Sequence, residues 1–290
     1  MSKLSESIDD AYFTCPEDVE FVHDKLREFD WLGGSILEPC AGAGRLVKGL
    51  ENVQMWDLNQ YDVPLNRVGS FLDQPANERF DLVLTNPPFG WLGHLAGDIF
   101  NKATQFADRI AIILPQCYRK VQRIDKINEM WHPVGDFDLP NQEYILPDGQ
   151  RKFVRTCFQM WEKRDYKRKK FGNTSYHEFF RQVPKDQAEY YLRTQGSSAG
   201  RILEGLKYPD GREYNSNSGR WMAGGKETIL KYDWTKVARF ASGAQSIGLH
   251  DIAWGLRSPN TEEYLNHGIM YDLINGVYDQ QPENNLMKYF

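Results

Sequence analysis

The sequence predicts an α/β protein with a doubly wound, mainly parallel sheet of seven strands, followed by an appended C-terminal segment. Short apolar runs alternate with helical patterns over the first half of the chain, as in a parallel sheet with crossover helices. Polar residues follow several of these runs, where such sheets bind their ligands. After "EKRDYKRKK" the pattern changes to short amphipathic pieces and polar turns.

Seven runs are the predicted strands, at residues 35–39, 53–57, 67–73, 80–86, 109–115, 134–140 and 153–164. Helices are expected in "GRLVKGL" after the first strand and over residues 92–107 and 118–130. The last two strands flank the polar stretch "NQEYILPDGQ" and are predicted to pair as an antiparallel hairpin.

A domain boundary is predicted near residue 165, which separates residues 1–165 from an appended segment over 166–290. In that segment, helices are plausible at residues 185–193, 226–237 and 246–256. The Gly/Ser/Asn-rich stretch "NSNSGRWMAGG" is predicted to be a mobile loop, on which Arg220 and Trp221 either probe a substrate or form a surface turn.

Composition narrows the class of protein. The chain has 290 residues and a net charge of −5, which argues weakly against a nucleic-acid coating protein but permits a local basic groove. No window approaches a membrane span, and the N-terminus has no signal-peptide pattern. The four cysteines lack metal-ligand or disulfide spacing, so a reducing, cytoplasmic compartment and no metal are expected.

The stretch "DLVLTNPPFGW" ends an apolar strand at Asn86-Pro87-Pro88-Phe89. Two prolines cannot donate to a sheet ladder, and the residue before a proline is held extended. The Asn86 amide is therefore presented on a stiff backbone, with the Phe89 ring beside it. This combination favours a pocket for a flat ligand with a polar edge.

The stretch "ILEPCAGAGRLVKGL" predicts a strand, an acidic residue, and Gly42-x-Gly44 opening a helix. Glycines allow a ligand close to the backbone, and a helix N-terminus would face it. A dinucleotide fingerprint would need a third glycine where Val47 stands. A tight turn of purely structural purpose is the alternative.

Polar side chains end four successive predicted strands, namely Glu38, Asp57, Asp73 and Asn86. Asp57 can accept from ribose hydroxyls, and Asp73 from an adenine amino group. Each acid alone is more often a solvated loop carboxylate, but four in series indicate one rim. We expect Asn86 to share a cavity with Gly42 and Asp57.

These motifs resemble those of class I S-adenosylmethionine-dependent methyltransferases, specifically the nucleic-acid amino-methyltransferases. Asn86-Pro87-Pro88-Phe89 matches their motif IV, and the segment from Glu38 to Gly44 matches motif I. "AYFTCPEDVEFV" resembles motif X, with Cys15 inserted between Thr14 and Pro16. The order of motifs is similar to the gamma-type adenine-N6 DNA methyltransferases, which include phage enzymes, and the resemblance covers residues 11–164.

The resemblance implies S-adenosylmethionine as the cofactor of the first domain, and a target-recognition or lid role for the second. The Asn86 oxygen and the Pro87 carbonyl would accept the two N–H groups of an adenine amine, Pro88 would stiffen the loop, and Phe89 would stack on the base. The cofactor contacts implied are Thr14, Pro16, Glu38, Cys40, Ala41, Gly42, Gly44, Asp57, Asp73 and Asn86.

A base in a duplex must be flipped out to reach such a pocket. Phe153 is the candidate for the second covering ring, and Tyr144 is more often a core residue. Trp91 lines the pocket or packs at a helix start. Arg119 and Lys120, with the run at residues 163–170, are candidates for phosphate contacts, although charge runs are usually solvated faces.

Several alternatives remain open. The acceptor could be RNA rather than DNA, or a protein glutamine, which the basic stretches make less fitting. The chain could also be a silent methyltransferase-like subunit that only binds nucleic acid, although motifs I and IV are intact. Cys40 follows a proline, but in the cofactor turn rather than motif IV, so a cytosine-C5 nucleophile is not expected.

Overall fold

The computed structural model describes residues 12–90, 93–119, 121–146, 148–168, 180–196, 198–203, 205, 207, 211–214 and 217–230. The chain forms two compact units. The first comprises the described residues of Met1–Pro115 and Ile127–Lys167, and the second those of Gln116–Lys126 and Arg168–Phe290. Segment 116–126 groups with the second unit, which the sequence did not indicate; the boundary near residue 165 stays a prediction.

The first unit contains ten strands and two helices among its described residues. The strands are β1 (Phe13–Thr14), β2 (Ile36–Glu38), β3 (Val53–Asp57), β4 (Arg67–Val68), β5 (Leu82–Thr85), β6 (Arg109–Pro115), β7 (Trp131–Asp138), β8 (Glu143–Ile145), β9 (Arg151–Phe153) and β10 (Thr156–Lys163). The helices are α1 (Pro16–Glu28) and α2 (His94–Ala103).

Seven of these strands form one sheet in the order β4-β3-β2-β5-β6-β10-β7. Neighbours from β4 to β6 pair in parallel, and β10 is antiparallel to both β6 and β7. The prediction of a mainly parallel seven-stranded sheet with an antiparallel final hairpin is confirmed. This strand order is that of the methyltransferase fold that the sequence resemblance implied.

The core lies where α1 packs against the sheet. Val22 and Leu26 of the helix are fully buried with Leu84 of β5 and Ile113 of β6. All residues of β2 and β5 are buried, which explains their continuous apolar runs in the sequence. Burial of these side chains stabilises the sheet, at roughly 25 cal/mol for each Å² of apolar surface removed from water.

A second sheet, of three strands in the order β1-β8-β9, extends the first unit. The Asp18 carboxylate of α1 accepts backbone hydrogen bonds from Asn141 and Gln142, at 2.9 and 3.0 Å, and so holds the turn that leads into β8. The prediction of a plain polar turn between the hairpin strands is therefore wrong, since "NQEYILPDGQ" carries β8 and part of its connection to β9.

Three predicted elements of the first half are shorter than expected. "GRLVKGL" forms turns instead of a helix, and its two glycines, Gly44 and Gly49, have φ values of +69° and +85°, outside the helical range. The third strand ends at Val68, and a 3-10 turn over Phe71–Asp73 follows it. The helix predicted at 118–130 is reduced to a 3-10 turn over Gln116–Arg119 and α3 (Val121–Ile124).

The second unit contains a four-stranded antiparallel sheet formed by β11 (Arg181–Gln182), β12 (Tyr190–Arg193), β13 (Ile202–Leu203) and β14 (Gly219–Ala223), in the order β11-β14-β12-β13. The stretch predicted as a mobile loop thus contains a central strand over Gly219–Ala223. Trp221 pairs with Tyr191, and their rings meet edge to face at 4.9 Å. A Cβ at Gly219 would lie 2.5 Å from the Leu192 carbonyl oxygen, so glycine serves close strand packing there.

The prediction of a helix at residues 185–193 is also wrong. A 3-10 turn over Lys185–Gln187 is followed there by β12. The helix predicted at 226–237 begins as α4 (Lys226–Leu230). Its remainder, and the helix predicted at 246–256, lie outside the described residues. No helix in the described ranges is long and apolar enough to cross a membrane.

Candidate active site

A cavity of about 350 Å³ opens in the first unit, bounded by the loops after β2, β3, β4 and β5 and by the edge strand β1. Eleven of the residues that the sequence pointed to lie in its wall: Thr14, Glu38, Cys40, Ala41, Gly42, Asp57, Asp73, Asn86, Pro87, Pro88 and Phe89. Asn86 therefore shares a cavity with Gly42 and Asp57, as expected from four strands ending at one rim.

The glycine turn is held by a carboxylate of the neighbouring strand. Asp57 Oδ2 accepts a hydrogen bond from Gly42 N at 2.8 Å, and Oδ1 accepts one from Asn59 N at 2.9 Å. Gly42 has a φ of +51°, which a side-chain-bearing residue rarely adopts. Since "GRLVKGL" is not a helix, this turn presents backbone groups and carboxylates to the cavity rather than a helix N-terminus.

Two carboxyl groups in the wall are buried. Burial raises the pKa of Glu38 to about 8, although Cys40 N donates to its Oε1 at 3.1 Å and acts in the opposite direction. Burial also raises the pKa of Asp57, against the hydrogen bonds from Asn59 and Gly42. Each carboxylate oxygen has two lone pairs, so the Asp57 oxygens can each accept one more hydrogen bond from a ligand.

Asp73 reaches the cavity from a different element than predicted. It lies at the end of the 3-10 turn over Phe71–Asp73 instead of at the end of a strand, and it is exposed. The residue still lines the same cavity, and the loop that leads to it is tied to β3 by the hydrogen bond from Gly69 N to Asp57 O at 2.8 Å.

The Asn86-Pro87-Pro88-Phe89 loop forms the opposite wall. Pro87 is buried, Asn86 and Phe89 are half-buried, and the Phe89 ring meets Tyr144 edge to face at 6.5 Å. The loop ends at Gly90 with a φ of +63°, where a Cβ would lie 2.7 Å from Leu95 Cβ. The Gly90 end of the loop is therefore constrained by packing.

The Asn86 amide is anchored to the N-terminal strand. Its Nδ2 donates to Thr14 Oγ1 at 3.1 Å and to the Tyr12 carbonyl oxygen at 3.3 Å. Tyr12, in turn, contacts Lys152, whose Nζ donates to the Tyr12 hydroxyl at 2.6 Å. The N-terminal strand and the loop that begins at Asn86, 72 residues apart in sequence, thus meet directly.

Several predicted site residues lie elsewhere. Pro16 is exposed at the first turn of α1, with Cys15 as the helix N-cap, so the inserted cysteine separates Thr14 from the helix. Gly44 is absent from the cavity wall, and its N–H closes the turn by donating to Ala41 O at 2.7 Å. Phe153 is 59% exposed on β9, also outside the wall.

The remaining predicted substrate contacts fare differently. Arg119 is only 2% exposed and belongs to the second unit, and its role as a phosphate contact stays a prediction. Trp91 and Lys120 lie outside the described residues. Tyr144 is fully buried and donates from its hydroxyl to Thr156 Oγ1 at 2.9 Å, which agrees with a core role.

Two lysines of the basic run, among its described residues 163–168, are paired with acids. Lys163 lies 3.5 Å from Asp108, and Lys167 lies 3.8 Å from Glu129. These surface ion pairs follow the ordinary pattern of a solvated charged face.

Sequence reasoning missed part of the cavity wall. Phe13 lies over the glycine turn, with the Arg45 guanidinium 5.3 Å from its ring centre and the Tyr61 ring at 6.0 Å. The quoted motif X segment contained Tyr12 and Phe13, so that signal was present but was assigned to Thr14 and Pro16. Arg45 and Tyr61 belong to no recognisable sequence motif, because they lie on irregular loops that reach the cavity only in the folded structure.

No protein-family model matches the sequence, and no curated protein is similar to it. Among solved structures, a Pyrococcus horikoshii protein described as an RNA methyltransferase shares 15% identity at a TM-score of 0.44, covering 56% of this chain and 91% of the other. A Listeria monocytogenes protein described as a class I S-adenosylmethionine-dependent methyltransferase shares 14% identity at a TM-score of 0.41. The match covers 56% of this chain and 64% of the other.

TrmN from Thermus thermophilus is similar at 17% identity and a TM-score of 0.36, covering 50% of this chain and 48% of its own. Similarity at this level carries no argument about chemistry. The fold and the cavity themselves define the class: a protein with the seven-stranded methyltransferase sheet and a cavity at the carboxyl ends of its strands that is lined by apolar side chains and by three carboxyl groups.

Proposed function

We propose that the protein transfers a methyl group from S-adenosylmethionine to the N6 amino group of adenine in DNA. One observation carries this proposal. A single cavity contains both the carboxylate-held glycine turn and the Asn86-Pro87-Pro88-Phe89 loop, the two features that a cofactor and an amine acceptor respectively need.

The cavity suits the cofactor in size and charge. Its volume of about 350 Å³ falls in the ordinary range of small-molecule sites. Glu38, Asp57 and Asp73 offer acceptors for an ammonium group, ribose hydroxyls and an adenine amine. Arg45 offers a donor for a carboxylate. When bound, S-adenosylmethionine supplies a methyl group already activated by a positive sulfur, so the chain itself needs only to bind and orient.

The opposite wall suits an amine. An exocyclic amine is a poor nucleophile while its lone pair is delocalised into the ring. Two acceptors in fixed positions, the Asn86 side-chain oxygen and the Pro87 carbonyl, would bind both N–H groups and direct the lone pair toward the cofactor. Fixed acceptors need no reorganisation during the reaction, and the two prolines keep them fixed.

The base would be held by its face. Phe89 is half-buried and supported by Tyr144, so the ring has a stable position against which a flipped base can stack. Such stacking is worth about 1–3 kcal/mol for each base. A base must leave its duplex to reach the cavity.

Incubation with radiolabelled S-adenosylmethionine and separate DNA, RNA and protein acceptors tests the proposal, with mass spectrometry of the modified nucleoside. We expect N6-methyladenine in DNA, and transfer by the Asn86→Ala variant that is slower by about 100- to 1,000-fold. Label in RNA adenine would show that the acceptor is RNA instead of DNA, with the same transfer to an adenine amine. Label on cytosine or only in protein would contradict the proposal.

A further inference from the structure

We infer that Thr14 is a positioning residue for the Asn86 amide: its hydroxyl and the neighbouring Tyr12 carbonyl orient the amide so that its oxygen is the group offered to the substrate. The inference rests on the proposed function and deepens it. It changes the role of the N-terminal segment from cofactor contact to control of the acceptor wall.

The two hydrogen bonds decide which way the amide is turned. A carbonyl oxygen can only accept, so the amide atom facing Tyr12 O at 3.3 Å must be the nitrogen. The second Nδ2 hydrogen is taken by Thr14 Oγ1 at 3.1 Å. With both hydrogens directed at β1, Oδ1 of Asn86 is turned away from it.

The oxygen of the amide stays available. Among the residues that the structure describes, none donates a hydrogen bond to Asn86 Oδ1, while Asn86 itself lines the cavity. Turned the other way, the amide would present an NH₂ group to the NH₂ group of a substrate, and two donors would face each other.

The partners of Asn86 are themselves firmly placed. Thr14 is 3% exposed and pairs with Tyr144 across β1 and β8. Tyr144 is fully buried and hydrogen-bonded through its hydroxyl to Thr156. The turn before β8 is bound by the Asp18 carboxylate. The Thr14 hydroxyl therefore has a fixed position from which to hold the amide.

Replacement of Thr14 tests this assignment. Thr14→Val keeps the shape and removes the hydroxyl acceptor, whereas Thr14→Ser keeps the acceptor. We expect kcat of Thr14→Val to fall about tenfold, the equivalent of one lost hydrogen bond. The serine variant should stay within about twofold of the wild type, and cofactor Kd should be unchanged in both.

A second readout does not depend on activity. The side-chain ¹⁵N–¹H₂ signals of Asn86, identified by their loss in Asn86→Ala, should shift in Thr14→Val and stay in place in Thr14→Ser. Unchanged signals in Thr14→Val would overturn the inference. Should Thr14→Val fail to fold, Thr14→Ala removes the same acceptor without adding a methyl group in a new place, and the same two readouts apply.

The outcomes separate the two proposals. A wild-type protein that methylates no acceptor ends the proposed function, while the Asn86 signals still test the contact. An active wild type with unchanged kcat in Thr14→Val overturns the positioning role alone. A rise in cofactor Kd without loss of kcat would also overturn it, because Thr14 would then serve the cofactor.

Discussion

The two walls of the cavity differ in how they are built. The acidic wall, formed by Glu38, the glycine turn, Asp57 and Asp73, consists of irregular loops, in which the buried carboxyl groups of Glu38 and Asp57 accept backbone hydrogen bonds and Asp73 is exposed. The neutral wall, formed by Asn86 to Phe89, has no charged side chain and is braced by prolines, by β1 and by Tyr144. A charged cofactor suits the first wall, and a neutral amine suits the second.

Removal of the Asn86 amide should give the largest effect on kcat, and it should distinguish the roles of the two walls most clearly. We expect Asn86→Ala to lower kcat by about 100- to 1,000-fold, as for other preorganised catalytic groups, because the acceptor is lost. Cofactor Kd, measured by isothermal titration calorimetry, should change by less than about threefold. Asn59→Ala is the matched control, since it removes an amide from the acidic wall. Loss of cofactor affinity in Asn86→Ala would mean that the neutral wall is misassigned.

Truncation of Phe89 should weaken the binding of the nucleic-acid acceptor and leave the binding of the cofactor unchanged. From stacking worth about 1–3 kcal/mol, we expect Phe89→Ala to raise KM for nucleic acid by about 5- to 150-fold. Phe89→Tyr keeps a ring and should stay close to the wild type. An unchanged KM in Phe89→Ala would show that the ring only packs against Tyr144.

A methyl group added at Gly42 should disturb the cofactor-binding turn of the acidic wall and leave the neutral wall unchanged. Gly42 and Gly49 both have positive φ, so alanine at either should cost about 1–2 kcal/mol of unfolding free energy. Only at Gly42 does the added Cβ meet a neighbour, Phe13 Cε1 at 2.9 Å, whereas Gly49 faces open space. We therefore expect Gly42→Ala to lower the affinity for the cofactor on the order of tenfold, and Gly49→Ala to leave that affinity unchanged. Equal cofactor affinities would contradict the placement of the cofactor on this turn.

The pH dependence of the acidic wall should be the subtlest effect. Because the pKa of Glu38 is raised to about 8, its neutral form stabilises the fold at low pH, and this contribution falls as pH rises from about 4.5 toward 8. Glu38→Gln stays neutral, so its melting temperature relative to the wild type should increase over that range. Thermal unfolding at pH 5, 7 and 8.5 measures this.

A cationic cofactor favours the ionised form of Glu38 and should release a proton on binding below pH 8. Wild-type affinity should then rise with pH between 6 and 8, by at most about tenfold for each unit. Titration calorimetry in buffers of different ionisation enthalpy counts the proton. A wild-type affinity that does not vary with pH would exclude Glu38 from this coupling.

The comparison of the walls also shows where prediction from sequence succeeded. The strands at residues 53–57 and 109–115 are found with the predicted bounds. For the second of these, the reason is that a buried strand is a continuous apolar run. The helix at "GRLVKGL" and the loop at "NSNSGRWMAGG" were mispredicted. In each case tertiary contacts outweigh local propensity: Leu46 and Val47 are buried in turns, and Met222 is buried in a central strand.

The amino-acid sequence by itself determined where the strands of the seven-stranded sheet lie along the chain and that polar residues follow several of them, since both follow from local patterns of apolar and polar side chains. Only the tertiary structure decided which atoms of those residues meet. The direction of the Asn86 amide depends on a strand 72 residues away, and the pKa of Glu38 depends on its burial. Neither contact nor burial is a property of a local pattern, because both arise when distant segments pack together.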